Sequence, residues 1–252
     1  MKNILINYAQ NKWINSQRMC SKTGISIGGF DEAREHSQED ISPDFIKKNQ
    51  HILQHQRGAG YWLWKPYIIY NNLIKLDTDD VLFYSDSGSM FIDSFKEYIF
   101  DVCRADEKGI ILFKDTHLQK VYTKRDCLIL MNCDSPEFLG NKQLTAGFQL
   151  VRKTDFSVHF YRTLIEWAQD ERIITDIPNT CGEPNYPEFK DHRHEQSILT
   201  NLQLLHDITT KADPSQWGND RRETGYKQLI NCHRINYNKT DDEYIRVMNI
   251  LE

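Results

Sequence analysis

Short apolar runs separated by amphipathic stretches constrain the fold of this chain more than any other feature of its sequence. The run over residues 81–84 (VLFY) is apolar throughout, which is typical of a strand that is covered on both faces of a sheet. Similar runs predict strands at residues 4–6, 109–113 and 146–151. Strands that alternate with helices favour a mainly parallel sheet flanked by helices, and therefore an α/β fold.

The stretches between these runs have helical periodicity. From Asp155 to Ala168, apolar residues recur along one side of a helix. Helices are also predicted over residues 45–56, over residues 66–75 with Pro66 at the first helical position, from about residue 92, and from near Glu195. Pro184, Pro187 and Gly182 predict a long surface loop over residues 179–191, of the kind that covers a site.

Composition limits the class of function. A chain of 252 residues suits one domain over residues 1–252, and a net charge of −5 argues against nucleic acid as a partner. The N-terminus lacks the apolar run of a signal peptide, and no segment approaches the roughly 20 apolar residues of a transmembrane helix. The six cysteines show no CxxC spacing, so reduced thiols and a cytoplasmic location are expected.

The first candidate site directly follows the predicted strand at residues 81–84. Ser85, Asp86, Ser87 and Gly88 lie there, and ligands of open α/β sheets bind beyond the carboxyl ends of the strands. A carboxylate at this position suits a divalent cation that also carries phosphate oxygens. Spacing alone leaves open that Asp86, Ser87 and Gly88 form an ordinary turn.

The second candidate is the aromatic segment over residues 58–67 (GAGYWLWKPY). Lys65 lies between Trp62, Trp64 and the start of a predicted helix. A lysine at a helix N-terminus suits a phosphate group, and aromatic faces suit a sugar or a base. A packed aromatic cluster is the alternative, although a lysine is seldom buried without a partner.

Three polar segments farther along the chain are weaker candidates. Residues 191–197 (DHRHEQS) precede the last long predicted helix, where Arg193 suits a phosphate and Glu195 suits a general base. Residues 123–126 (TKRD) and the pair at 233–234 (HR) add further cationic groups. For all three segments, a solvated or purely structural role remains the alternative.

Several segments, taken in chain order, resemble a group of GT-A-fold glycosyltransferases from bacterial surface-polysaccharide clusters and large DNA viruses of algae. They are residues 60–66 (GYWLWKP), 83–88 (FYSDSG), 123–126 (TKRD), 145–148 (TAGF) and 192–197 (HRHEQS). The amino-terminal glycosyltransferase domain of a multidomain chlorovirus protein belongs to this group. The resemblance covers nearly the whole chain, and the aromatic-lysine-proline motif is its specific part.

This resemblance implies a GT-A-like (Rossmann-like) fold and a reaction. The expected donor is a nucleotide-sugar, by default a UDP-sugar, and the expected acceptor is a hydroxyl group of a glycan or glycoconjugate. A divalent cation, Mn²⁺ or Mg²⁺, is the implied cofactor.

The resemblance also implies roles for individual residues. Asp86 matches the first position of a short acidic metal motif, but Gly88 stands at the second acidic position, so His233 is implied as a further metal ligand. Asp86 and Glu195 are the expected catalytic residues, with Glu195 as the base. Donor binding is expected from Tyr8, Trp62, Trp64, Lys65, Ser85, Asp86, Ser87, Lys124, Arg125, Arg193 and Arg234. Sugar or acceptor binding is expected from Ala146, Gly147, His194, Glu195 and Gln196.

Two other classes of function compete with this interpretation. A sugar-phosphate nucleotidyltransferase would share the sheet and the metal, but it usually carries a glycine-rich basic first loop. The corresponding residues 8–13 (YAQNKW) contain no glycine. A non-catalytic module that binds carbohydrate or nucleotide would use the aromatic segment only to hold its ligand.

Overall fold

The computed structural model of the chain describes residues 1–216 and 226–250. The strands are β1 (Asn3–Tyr8), β2 (Glu32–His36), β3 (Val81–Ser85), β4 (Met90–Phe91), β5 (Ile110–Leu118), β6 (Lys142–Arg152), β7 (Thr210–Lys211) and β8 (Ile230–Asn231). The helices are α1 (Ile14–Thr23), α2 (Pro43–Lys48), α3 (Gln50–Leu53), α4 (Gly58–Tyr61), α5 (Trp64–Leu73), α6 (Asp101–Ala105), α7 (Gln119–Tyr122), α8 (Arg125–Leu130), α9 (Pro136–Leu139), α10 (Asp155–Ala168), α11 (Glu171–Ile174), α12 (Glu195–His206) and α13 (Asp242–Ile250).

Six of the described strands form one sheet in the order β2-β1-β3-β6-β5-β7, and β4 pairs with β8 in a second, small sheet. In the large sheet β2, β1 and β3 are parallel to one another, and β5 is parallel to β7. Strand β6 is antiparallel to both of its neighbours, β3 and β5. The predicted α/β fold with a mainly parallel central sheet is therefore confirmed, with β6 reversed.

Alternate side chains of the central strands pack into two different cores. Ile4, Ile6 and Tyr84 belong to the core under α5, α10 and α12, whereas Leu5 and Phe83 belong to a phenylalanine-rich core on the other side. Successive residues of a strand point to opposite faces of the sheet. A strand covered on both faces favours apolar residues at successive positions, which explains the apolar run of β3 over residues 81–84.

The observed helices agree only partly with the predicted ones. Helix α10 has the predicted limits because Thr154 caps its N-terminus and its buried side chains lie on one side. The helix predicted over residues 45–56 is wrong in its extent, since it is broken at Asn49 into α2 and α3. Helix α5 begins at Trp64, so Pro66 is its third residue rather than its first.

Two further elements bear on the candidate site. The helix predicted from about residue 92 begins later, as a π-helical turn over Lys96–Phe100 that continues into α6. Residues 179–191 form the predicted irregular segment and precede α12. Within the described ranges, no helix combines the length and the apolar character needed to cross a membrane.

Candidate functional site

A cavity of about 900 Å³ opens beyond the carboxyl ends of β1 and β3. Residues 145–148 of β6 and the N-terminal ends of α5 and α12 also line it. The structure brings together in this cavity the following residues that the sequence predicted: Tyr8, Trp62, Trp64, Lys65, Asp86, Ser87, Ala146, Gly147, Arg193, His194, Glu195, Gln196 and Arg234. Because these residues are far apart in the sequence, their convergence makes the cavity the candidate active site.

Lys65 lies at the centre of a buried charged group. Its side chain is 3% exposed, and its Nζ lies 3.2 Å from Oδ1 of Asp86 and 3.7 Å from Oε2 of Glu195. The same ammonium donates a hydrogen bond of 3.1 Å to the carbonyl oxygen of Ala146. A buried ammonium is unfavourable unless it is paired and hydrogen-bonded, and here two carboxylates and a carbonyl group compensate for its burial.

Asp86 is the exposed partner of this group, with 46% of its side chain accessible. The hydroxyl group of Tyr84 donates to its Oδ1 at 2.7 Å, and burial beside this carboxylate raises the pKa of Tyr84 well above its usual value. A side chain at Gly147 would place its Cβ 3.0 Å from Oδ2 of Asp86. The glycine therefore leaves the space in front of this carboxylate oxygen open.

Glu195 is the buried carboxylate of the group. Gln149 donates a hydrogen bond of 3.2 Å to its Oε1 and accepts one of 2.9 Å from the hydroxyl group of Tyr161. Burial raises the pKa of Glu195 to about 7, although the nearby ammonium of Lys65 opposes the shift. A carboxyl group with this pKa exchanges its proton near neutral pH, as a general base requires.

Aromatic rings form one wall of the cavity. The rings of Tyr8 and Trp64 are stacked, with centroids 3.8 Å apart and an interplanar angle of 18°. The indole N–H of Trp64 donates to the carbonyl oxygen of Gly58 at 2.9 Å, and the ring of Trp62 faces that of His194 at 5.5 Å. These contacts hold flat apolar surfaces beside the charged group.

The backbone of this wall has an uncommon left-handed conformation. Every residue from Gly58 to Trp62 has a positive φ, including Ala59, Tyr61 and Trp62, which are not glycines. A left-handed conformation costs an L-residue roughly 1–2 kcal/mol, so the surrounding packing must hold the turn in place. Strained backbone of this kind is concentrated at functional sites.

We expect Gly58→Ala to destabilise the protein by about 2–4 kcal/mol. Gly58 has a φ of +58°, and an added Cβ would lie 2.3 Å from the ring of Trp62, so backbone strain and overpacking both contribute. Gly182→Ala is the matched control, because Gly182 has a φ of +82° with nothing within 4 Å. Urea denaturation measures both variants. Equal losses of stability would show that the contact with Trp62 has no effect.

A second region of the cavity, the Gly88 corner, is formed by Tyr8, Trp13, Ser87, Gly88 and Arg234. Ser87 donates from its hydroxyl group to the carbonyl oxygen of Tyr8 at 2.6 Å, and the backbone N–H of Arg234 donates to the carbonyl oxygen of Gly88 at 2.9 Å. A Cβ at Gly88 would lie 3.1 Å from Cα of Arg234 and 3.2 Å from the ring of Trp13. Any larger residue at position 88 would therefore push against the chain segment around Arg234 where this segment contacts the end of β3.

Two cationic residues of the cavity were not predicted as site residues. Lys12 belongs to a 3-10 turn after β1, and Arg57 precedes the left-handed turn. The Nη1 of Arg57 lies 3.0 Å from Asp176, and its Nη2 lies 2.6 Å from Asp191, so Arg57 links the aromatic wall to the C-terminal end of the irregular segment and to Asp176, which precedes that segment. Lys12 could have been predicted as a site residue, because it is a basic residue in the loop after the first strand. Nothing in the sequence predicts that Arg57 lines the cavity.

Lys124 and Arg125 were predicted to bind the donor. Neither residue belongs to the described cavity lining. The Nζ of Lys124 donates to the carbonyl oxygen of Ile177 at 2.8 Å. Arg125 pairs with Asp134 at 2.8 Å and covers the ring of Tyr186. Both cations therefore have local structural contacts, and the contact with Tyr186 connects Arg125 to the irregular segment.

Ser85 and His233 also lie outside the described lining. Ser85 is buried, and its hydroxyl group donates to the carbonyl oxygen of Asp86 at 3.3 Å. His233 follows β8, where its Nδ1 accepts a hydrogen bond of 3.0 Å from the N–H of Ile235 and its ring contacts Tyr237. Its neighbours Cys232 and Arg234 line the cavity instead.

The described residues of the cavity do not assemble a site for a divalent cation. Within the described residues, no group of three or more His, Cys, Asp and Glu side chains is arranged to hold a metal ion. Asp86 already lies beside the ammonium of Lys65, and the backbone at Arg234 fills the space next to Gly88. The described chain therefore does not assemble the predicted metal site of Asp86 and His233.

Comparison with known proteins gives only distant structural similarity. No family model and no curated protein matches the sequence. Among solved structures, apo mouse xyloside xylosyltransferase 1 is similar over 84% of this chain and 84% of that chain, with a TM-score of 0.46 and 9% identity. The bifunctional glycosyltransferase WbbM is similar over 86% of this chain and 39% of its own, with a TM-score of 0.48 and 9% identity.

The glycosyltransferase GlyE of Streptococcus pneumoniae is similar over 85% of this chain and 46% of its own, with a TM-score of 0.42 and 15% identity. The chain thus spans less than half of WbbM and of GlyE. Similarity at this level assigns no activity to this chain. The functional argument therefore depends on the residues of the cavity.

Proposed function

We propose that this chain is a glycosyltransferase that moves a sugar from a nucleotide-sugar donor to a hydroxyl group of a glycan or glycoconjugate. The observation that carries the proposal is one cavity that combines stacked aromatic rings, basic side chains and a buried carboxylate. Of the described residues that line it, five are lysine or arginine and two are acidic, whereas the whole chain has a net charge of −5. An anionic ligand with a planar ring, such as a nucleoside diphosphate sugar, matches this lining.

The arrangement supports a separate place for each part of the donor. The stacked rings of Tyr8 and Trp64 line the side of the cavity that we assign to the base, and the Gly88 corner offers Arg234 for the diphosphate. The open carboxylate oxygen of Asp86 beside Gly147 accepts hydrogen bonds from sugar hydroxyl groups. Arg193 and Gln196 remain for the acceptor.

Glu195 supplies the chemical step in this proposal. Its carboxylate accepts the proton of the acceptor hydroxyl group while the hydroxyl oxygen bonds to the anomeric carbon of the sugar. The bond between that carbon and the diphosphate oxygen breaks, and the nucleoside diphosphate leaves with the electron pair. The burial that raises the pKa of Glu195 to about 7 makes it a stronger base than an exposed carboxylate.

The resemblance of the sequence refines the donor and the biological setting. We infer UDP as the nucleotide and the synthesis of a surface polysaccharide as the process, because the aromatic-lysine-proline segment and the segment FYSDSG are similar to those of such enzymes. In this proposal, the shape of the cavity around Asp86 and Gly147 selects the donor sugar and the linkage.

The proposal is tested with a panel of UDP-sugars, each with and without manganese. A ligand at about 100 times its dissociation constant stabilises a protein by roughly 2.7 kcal/mol, so a thermal-shift screen identifies the donor. We expect slow hydrolysis of that donor to UDP and free sugar. Pyrophosphorolysis would instead indicate a nucleotidyltransferase, and binding without turnover would indicate a non-catalytic module.

A further inference from the structure

We propose that this chain holds the diphosphate of its donor with its own cations, Lys12 and Arg234, so that neither donor binding nor transfer requires a divalent cation. The inference rests on the proposed function, because it concerns the diphosphate of a nucleotide-sugar. It departs from the Mn²⁺ or Mg²⁺ that the sequence resemblance implies.

The exposed carboxylate of the cavity already has a cation beside it. Lys65 is 2% exposed, and its ammonium lies 3.2 Å from Oδ1 of Asp86, which also accepts the hydrogen bond from Tyr84. A divalent ion bound to Asp86 would lie next to this ammonium, and like charges at such a separation repel strongly away from bulk water. The buried lysine cannot move into solvent without losing its three buried contacts.

The second acidic position of a metal motif, Gly88, is tightly packed in this fold. Gly88 contacts the backbone of Arg234, where an added Cβ would lie 3.1 Å from Cα and where the N–H of Arg234 donates to Gly88 at 2.9 Å. A carboxylate side chain at this position requires Arg234 and Trp13 to shift by a few tenths of an ångström. The chain instead places an arginine at the end of β3, where a metal site would place an acid.

The other acidic side chain and the histidine of the described cavity lining already face other groups. The Nδ1 of His194 lies 2.8 Å from the carbonyl oxygen of Ile174, and its Nε2 lies 3.8 Å from Oδ1 of Asp176. The Oε1 of Glu195 accepts the hydrogen bond from Gln149, and its Oε2 faces Lys65. The ring of His233 lies against Tyr237 and is not part of the described lining. The described lining thus offers a divalent ion one carboxylate, which already faces the ammonium of Lys65, so the diphosphate and water would have to supply all the other ligands.

Cations are present where the diphosphate would lie. Lys12 is exposed in the turn Asn11–Trp13, and Trp13 from the same turn contacts Gly88. Arg234 is exposed on the other side of Gly88. Lysine and arginine bind phosphate oxygens directly, and preorganised cations stabilise the charge that develops on a leaving diphosphate.

Calorimetry with UDP and the whole chain tests the inference, first in EDTA and then in excess Mn²⁺. We expect the affinity for UDP to differ by less than about threefold between the two conditions. In EDTA, Lys12→Gln and Arg234→Gln are each expected to weaken UDP binding by about ten- to a hundredfold, the scale of a lost hydrogen bond to a charged group. Arg18→Gln, an exposed change on α1 outside the described cavity lining, is the matched control and should bind UDP normally.

Manganese paramagnetic resonance gives a readout that does not depend on activity. We expect the signal of free Mn²⁺ to persist when the protein is added without UDP. The inference is overturned if the protein binds Mn²⁺ so that the signal of the free ion disappears, or if EDTA lowers the affinity for UDP more than threefold. Either result leaves the proposed function intact. Absence of UDP binding under both conditions counts against the proposed function as well.

Discussion

Replacing Glu195 with glutamine is expected to slow glycosyl transfer by about a hundredfold to ten-thousandfold, the range that a positioned general base contributes. Glutamine keeps the shape of the side chain and its contact with Gln149, but it cannot accept a proton. Donor affinity should change little, because Glu195 is buried beside Lys65 and the Gly88 corner is built from other residues. Rapid-quench assays with the donor from the UDP-sugar screen measure the rate of transfer, and calorimetry measures donor binding.

The matched control is Glu171→Gln, an exposed change of the same chemistry on α11. It should leave both the rate and the affinity unaltered. If Glu195→Gln lowers the rate and the donor affinity equally, Glu195 contacts the diphosphate and another group takes the proton.

Glu195 also makes the rate and the stability depend on pH in opposite directions. The carboxylate is the active form, so the rate should rise with pH and level off above about pH 7. The pKa in the folded state lies above the ordinary value of 4.5, so folding favours the protonated form. This stabilisation is complete below pH 4.5 and is lost as the pH rises through about 7. Glu195→Gln should abolish both dependences.

The sequence predicted the central strands well because a fully covered strand has a strong signal. The apolar runs of β1, β3 and β5 follow directly from packing on both faces. The sequence did not predict that β6 runs antiparallel to β3 and β5. A buried strand has the same apolar run in either direction, so only the path of the whole chain fixes the direction.

In the candidate site, too, the sequence predicted features that depend on neighbouring residues and missed those that depend on distant contacts. Asp86 was predictable because a polar residue follows a buried strand, and in open α/β sheets such positions line ligand sites. The positive φ of Ala59, Tyr61 and Trp62 had no local signal, since packing against His194 and the rest of the wall overrides their ordinary preference. The sequence predicted only an aromatic segment over residues 58–67 ahead of a helix.

The cationic segments show why charge in a sequence is a weak guide to ligand binding. Lys124 and Arg125 looked like phosphate ligands, yet their partners are Ile177 and Asp134. The sequence does not specify which distant carboxylate or carbonyl group a lysine or arginine will meet. Lys12 lies in the cavity because its turn directly follows β1, a topological reason that the charge pattern does not contain.

Lys65→Met is expected to destabilise the protein by about 3–5 kcal/mol, the usual cost of removing one partner from a buried ion pair. Methionine keeps most of the apolar volume but removes the ammonium that faces Asp86 at 3.2 Å and Glu195 at 3.7 Å. Glu195 would then be a buried carboxylate with only Gln149 as a described hydrogen-bond partner. Urea denaturation near neutral pH measures the loss of stability. Lys48→Met, at an exposed residue of α2, is the control.

A double variant separates the structural role of Lys65 from the phosphate contact that the sequence predicted. If Lys65 serves mainly as the counter-ion of Glu195, then Lys65→Met combined with Glu195→Gln should be more stable than Lys65→Met alone, because neither buried group remains charged. UDP affinity should fall little in either variant, since Lys12 and the Gly88 corner with Arg234 are unchanged. A Lys65→Met protein of normal stability that no longer binds UDP would instead assign Lys65 to the donor phosphates, because a buried counter-ion cannot be removed without a loss of folding free energy.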